Sequence, residues 1–226
     1  MTTAAVQAKA AVPARVRIDF VSDVVCPWCA IGLHALEQAL TRLDGKVEAD
    51  VHFQPFELNP QLPREGEDVA EHLHKKYGAS PEQAARNREN IRARGAELGF
   101  EFRMDKRDRI YNTFDAHRLL YWAGLEGRQA ALKHALLSAY FSNGENISAH
   151  EVLRRIAGDA GLSTQRADEI LASDAYATEV RARERFYTDH GISGVPAVIV
   201  NERHLISGGQ PVEVFEGALK QIAGVS

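Results

Sequence analysis

Cys26 and Cys29 are the only cysteines in 226 residues, and they stand three positions apart in DVVCPWCAIG. Such a pair can hold a metal, staple the fold or exchange electrons. A structural zinc site takes four ligands, so two more would have to come from nine scattered histidines. His72 and His74 are two apart, a spacing that points side chains away from each other on a helix. A staple across so small a loop gains little, because the entropic benefit of a cross-link grows with the loop it closes. An inert buried pair gives no reason for Pro27 and Trp28 to stand between the thiols. The reading that accounts for spacing and position is a dithiol that exchanges electrons, the usual meaning of C-x-x-C beside a strand–helix–strand pattern.

The elements around the pair decide how acidic each thiol is. VRIDFVS (16–22) is β-branched and aromatic and reads as a short strand. Beyond the cysteines, Leu33, Leu36, Leu40 and Leu43 recur at helical steps, and Gly45 is placed to close that helix. Cys26 therefore falls at a helix N-terminus, where free N–H groups and the macrodipole favour an anion. Its thiol should ionise below the free value of about 8.5. Pro27 suits the first turn. Cys29, nearly one turn on, can meet Cys26 and should be the more buried and less acidic partner. KVEADVHFQPF (46–56) alternates as a second strand, completing a β-α-β unit with a right-handed crossover.

From Val69 to about Asp189 the pattern is helical almost throughout. SPEQ (80–83) and SAHE (148–151) read as capping boxes, and GRQAALKHALLSAYFSNG (127–144) as a helix. Strands return at AVIVN (197–201) and ERHLISGG (202–209), followed by a helix with Val214, Phe215, Ala218, Leu219 and Ile222 inward. In GISGVPAVIV, Pro196 directly precedes a buried strand. A trans Pro196 merely starts that strand; a cis Val195–Pro196 bond would turn the backbone of Val195 outward to pair with an extended peptide. These patterns divide the chain into one discontinuous domain (16–60 with 190–224), a helical insertion (61–189) and a flexible N-terminal tail (1–15).

Hydrophobic residues make up 45% and charged residues 26%, with a net charge of −4, which does not point to nucleic acid. The basic stretch from Arg86 to Arg109 is interrupted by Glu89, Glu97, Glu101, Asp105 and Asp108, and reads as a solvated helical face. MTTAAVQAKAAVPA lacks the apolar core of a secretory signal, and its Lys9 follows apolar residues instead of leading them. No apolar run is long enough to span a membrane. The expectation is a cytoplasmic protein, where a structural disulfide is disfavoured.

The segments CPWC, FELNP, NTFDAHRLLYWA, GENISAHEVL and GISGVPAVIV…ISGGQP, in that order, resemble the DsbA-like thioredoxin family. The nearest group is FrnE-like, close to 2-hydroxychromene-2-carboxylate isomerases and kappa-class glutathione transferases. The resemblance implies an α/β, thioredoxin-like fold with a large all-helical insertion. It implies that Cys26 is the exposed attacking thiol, Cys29 the resolving one, and Pro196 a cis-proline facing them, with Val195 offering its backbone. Pro27 and Trp28 would edge the cleft, Asn112 and Thr113 would lie near it, and His117 follows one turn on. Ala30 stands where relatives often carry an aromatic residue, which predicts a wider groove.

The implied activity is that of a thiol–disulfide oxidoreductase or disulfide isomerase. The alternatives are glutathione-dependent isomerisation or transfer on a small aromatic compound, and a peptide-binding, chaperone-like module. The resemblance implies no metal and no tightly bound cofactor, with glutathione as a co-substrate. Protein or small-molecule thiols and disulfides are the expected partners, for a monomer or homodimer that binds neither nucleic acid nor membrane.

Overall fold

The structure, a computed structural model, describes residues 12–226. Residues 1–11, where most of the expected tail falls, lie outside the described residues, and Ala14 and Arg15 belong to the first strand. That strand, β1 (Ala14–Ser22), leads into α1 (Pro27–Arg42), which crosses over to β2 (Val47–Pro55). β1 and β2 pair in parallel, from Ala14 opposite Val47 to Ser22 opposite Pro55. Period-two alternation sends Val16, Ile18 and Phe20 into a core with Leu33 and Leu36 of α1. Val21 faces the other side of the sheet, against Tyr187 and Ile192.

The insertion opens with β3 (Glu67–Asp68), α2 (Val69–Tyr77) and α3 (Pro81–Glu97). It continues through β4 (Arg109–Ile110), α4 (Phe114–Leu125), α5 (Gln129–Phe141), α6 (His150–Asp159), α7 (Thr164–Leu171) and α8 (Ala177–Asp189). β3 and β4 form a two-residue antiparallel ladder inside the helical insertion. Ser80 caps α3 as its sequence predicts, with Gln83 completing the box. The second expected box does not form, because α6 begins at His150 with Ala149 as its cap. The Ser148 hydroxyl instead donates to the carbonyl of Arg64 at 2.5 Å, tying the loop before α6 to the start of the insertion.

The chain then returns through β5 (Ala197–Val200), β6 (His204–Ser207) and α9 (Val212–Ala223). β5 runs antiparallel to both β1 and β6, giving the order β2-β1-β5-β6. α9 packs on α1 through Val212, Phe215 and Leu219. Val214, expected inward, is 45% exposed, because it lies about 100° around the helix from buried Phe215.

The outer edge of β2 is closed by the insertion. The Gln129 side-chain amide accepts from the N–H of Phe53 at 2.9 Å and donates to its carbonyl at 3.0 Å. One hydrophobic core runs unbroken from Phe20 and Leu36 in the sheet half to Leu119, Leu132 and Leu153 in the insertion. Among the described residues, no helix is long and apolar enough to cross a membrane.

Candidate active site

Cys26 is the N-cap of α1, with extended backbone (φ −88°, ψ 113°), and Pro27 opens the first turn. The Cys26 carbonyl accepts from the N–H groups of Cys29 at 3.0 Å and Ala30 at 3.3 Å. The first turn thereby draws the two side chains together. Both cysteines are free thiols.

Facing them is the loop before β5. The Val195–Pro196 peptide is cis, and Cys26 Sγ donates to the Val195 carbonyl oxygen at 3.7 Å. Two glycines permit close packing around these turns, Gly32 beside Pro196 and Gly209 beside Trp28. A Cβ on Gly32 would stand 3.1 Å from Pro196 Cγ and 3.3 Å from Gly209 Cα, and one on Gly209 would stand 2.8 Å from the Trp28 carbonyl oxygen. The last is closer than a Cβ and an oxygen come, so the turn after β6 can touch the CPWC turn only as glycine.

The two thiols differ in electrostatics. A hydrogen bond from the Cys29 thiol holds Cys26 below its ordinary value, outweighing burial and the nearby Asp23 charge. Burial pushes Cys29 well above its ordinary value, and Cys26 adds to the shift. Cys26 is 4% exposed and Cys29 is 0% exposed. The attacking thiol therefore lies at the floor of a cleft, deeper than the exposed position the resemblance implied.

Beneath the pair is a set of buried polar groups. Asp23 accepts from the N–H of Leu58 at 2.7 Å and stands 3.4 Å from His117 Nε2. Burial raises its carboxyl, but His117, Leu58 and Thr113 together hold it below the usual carboxylate value. Lys133 is fully buried, and its Nζ has no hydrogen-bond partner among the described residues. Burial pushes the Lys133 ammonium down, against the pull of Cys29, Asp23 and Cys26.

Above the pair, a cleft of about 550 Å³ separates the CPWC turn from α2 and α3. Pro27, Trp28 and Val195 line it, as the sequence suggests. Asn112, Thr113 and His117 do not. Asn112 shapes the turn into α4, donating to the Leu62 carbonyl at 3.1 Å and accepting from the N–H of Phe114 at 2.9 Å. Thr113 and His117 are buried behind Asp23 and lie outside this cleft, though His117 borders a separate cavity with Gln54, Tyr121 and Lys133. Ala30 is fully buried in the core and does not widen the groove. The cleft wall that sequence reasoning missed is Tyr77 of α2 with Gln83, Asn87, Arg88 and Ile91 of α3. α3 buries only Ile91 and Gly95, so nothing in its pattern distinguishes a cleft wall from a solvated face.

The DSBA-like thioredoxin domain model matches residues 17–220. The structure superposes on a probable DsbA oxidoreductase from Streptomyces coelicolor with a TM-score of 0.87 and 37% identity, covering 92% of this chain and 90% of that one. The cytosolic disulfide reductase DsbM from Pseudomonas aeruginosa, solved with GSH, shares the fold with a TM-score of 0.61 and 17% identity, covering 92% of this chain and all of that one. YwbO, an uncharacterized protein of Bacillus subtilis, is 25% identical over 205 residues, 90% of this chain and 96% of its own. With a paired CPWC turn and a cis-proline inside a match that spans nearly the whole described fold, the chain belongs to the DSBA-like thioredoxin domain family.

Proposed function

We propose that the protein catalyses thiol–disulfide exchange at Cys26 and Cys29, as an oxidoreductase or disulfide isomerase. The observation that supports this most is the asymmetry of the pair. Cys26 is the more acidic thiol and opens to the cleft, while Cys29 is sealed and held protonated. A thiolate is the attacking species, and a protonated partner waits to resolve.

In the reducing direction, Cys26 Sγ attacks one sulfur of a substrate disulfide R–S–S–R′. The mixed disulfide Cys26–S–S–R forms, and R′–S⁻ leaves and takes up a proton. Cys29 then loses its proton and attacks Cys26 Sγ, which releases R–S⁻. Two electrons have passed to the substrate, and the Cys26–Cys29 disulfide remains. The reverse sequence oxidises a substrate dithiol.

The Val195 backbone is suited to pair with an extended substrate beside Cys26, and Trp28 to pack on its side chains. External thiols return the pair to its reduced state, and we assign glutathione as that co-substrate. A relative in fold solved with GSH supports the assignment, and its name places that relative in the cytosol, the setting we propose for this chain. Glutathione-dependent isomerisation of an aromatic compound needs no second thiol, and a sealed Cys29 weighs against it.

The test pairs two variants in insulin reduction and in the reactivation of scrambled ribonuclease. Cys26→Ser should abolish both, and Cys29→Ser should accumulate mixed disulfides detectable by mass spectrometry. Wild-type rates in Cys26→Ser would overturn the proposal.

A further inference from the structure

The cleft above Cys26 carries a charge pattern that exchange chemistry does not require. The chain holds 31 acidic and 27 basic residues, yet no Asp or Glu lines the cleft, whereas Arg88 and Arg107 do. Arg107 is drawn back into the core: its Nε donates to the Tyr140 hydroxyl at 2.8 Å, and its guanidinium stacks 5.1 Å from the Tyr140 ring and 5.4 Å from Phe141. Lys76, adjacent to Tyr77, is held by the Leu58 carbonyl at 2.7 Å and by Asn59 Oδ1 at 2.6 Å.

Arg88 is different. It is exposed, and among the described residues its side chain enters no ion pair and no hydrogen bond. Glu89 and Asp105 share a neighbouring groove with it, but Glu89 is taken by Arg92 at 2.6 Å and Asp105 by Arg103 at 3.0 Å. Trp28, Leu58, Leu73 and Ile91 give the cleft an apolar stretch of wall, beside the polar Asn59, His72, Gln83 and Asn87. Burying apolar side chains there is favourable, and an anion brought to the guanidinium displaces no resident carboxylate.

We propose that Arg88 is the specificity anchor of this cleft, and that the preferred substrate is a cysteine-bearing protein segment combining apolar side chains with an acidic residue near the reacting sulfur. This rests on the exchange activity proposed above. The apolar stretch of wall favours a protein segment over a small polar thiol, and the Val195 backbone suits an extended chain. A charge-assisted pair at the cleft rim orients that segment and is stronger than a neutral hydrogen bond.

Stopped-flow exchange with three disulfide-linked peptides, alike except for Glu, Gln or Lys beside the cysteine, tests this in wild type, Arg88→Gln and Arg88→Glu. Wild type should prefer the Glu peptide over the Lys peptide by about tenfold in kcat/KM, carried by KM and reduced by salt. Arg88→Gln should flatten the series. Arg88→Glu should invert it, and the gain with the Lys peptide cannot come from misfolding.

Equal rates for all three peptides in wild type, or an unchanged order in Arg88→Glu, would overturn the anchor. If Arg88→Glu slows glutathione disulfide as strongly as the Glu peptide, the anchor serves a small tripeptide and the assignment to protein segments falls. Exchange with none of these disulfides in wild type would instead overturn the underlying activity.

Discussion

Lys133 is the most exceptional single residue in the molecule. An ammonium with no hydrogen-bond partner among the described residues sits in the core behind Cys29. Leaving a charge so placed is costly, so Lys133→Met should stabilise the fold by about 1–4 kcal/mol, the range found when buried ion pairs are replaced by apolar side chains. The sign with pH follows from its lowered value. Between that value and about 10.4 the unfolded chain holds the Lys133 proton more fully than the folded one, so the Lys133 contribution to stability rises with pH, while the raised Cys29 thiol contributes in the opposite direction. In urea denaturation, the stability advantage of Lys133→Met over wild type should narrow as the pH is raised from 7 toward 10.

The variant should also lose function, because Lys133 pulls the Cys29 thiol down against the burial that raises it. Without the cation Cys29 ionises less readily, and mixed disulfides should persist longer in quench-flow. A more stable protein that resolves mixed disulfides as fast as wild type would show that Lys133 is structural only.

At the scale of elements, the site is a meeting of two turns. The CPWC turn was legible in the sequence because helix periodicity after Cys29 placed Cys26 at a cap, and a single cap position fixes much of a thiol's environment. Pro196 was legible as a break before an apolar strand. Gly32, packed on Pro196, and Gly209, packed on Trp28, were not, since the need for glycine arises from contacts far apart in the chain. Gly209 has no backbone angle that demands glycine; its constraint is the Trp28 carbonyl 2.8 Å from where a Cβ would stand. Gly209→Ala should therefore cost about 1–3 kcal/mol by overpacking. It should also slow exchange by displacing one turn from the other, which thermal melting and insulin reduction would measure. An unchanged melting temperature would mean that the turns shift freely.

α3 marks the opposite limit of sequence reading. Its charged residues predict a solvated face, and along Glu89 and Arg92 it is one, but the same helix turns Asn87, Arg88 and Ile91 toward the cleft. Likewise SAHE satisfies the pattern of a capping box, yet the Ser148 hydroxyl binds Arg64 across the insertion. The hydroxyl is shared between the distant Arg64 carbonyl and Asn146 two residues back, and caps no helix.

For the molecule as a whole, the sequence divides at the insertion, whereas the packing does not. The core that begins under β1 continues through α4, α5 and α6 as one apolar cluster, with the buried Asp23, His117 and Lys133 set into it. Contacts at α1 reinforce the join: Gln38 donates to the Leu98 carbonyl at 3.1 Å, and the His34 ring lies 4.8 Å from Phe100. Separate domains joined by a small polar interface would melt apart. Here the sheet half and the insertion should unfold together in one calorimetric transition, with calorimetric and van't Hoff enthalpies in agreement. Two resolved transitions would contradict the continuity of the core.

The Gln129 amide that occupies the Phe53 backbone has a consequence for company as well as for architecture. An open strand edge is a template for pairing with another chain. By reserving both polar groups of Phe53 for its own side chain, Gln129 withholds that part of β2 from a neighbouring copy. At Phe53 the insertion thus does for β2 what a neighbouring strand would otherwise do.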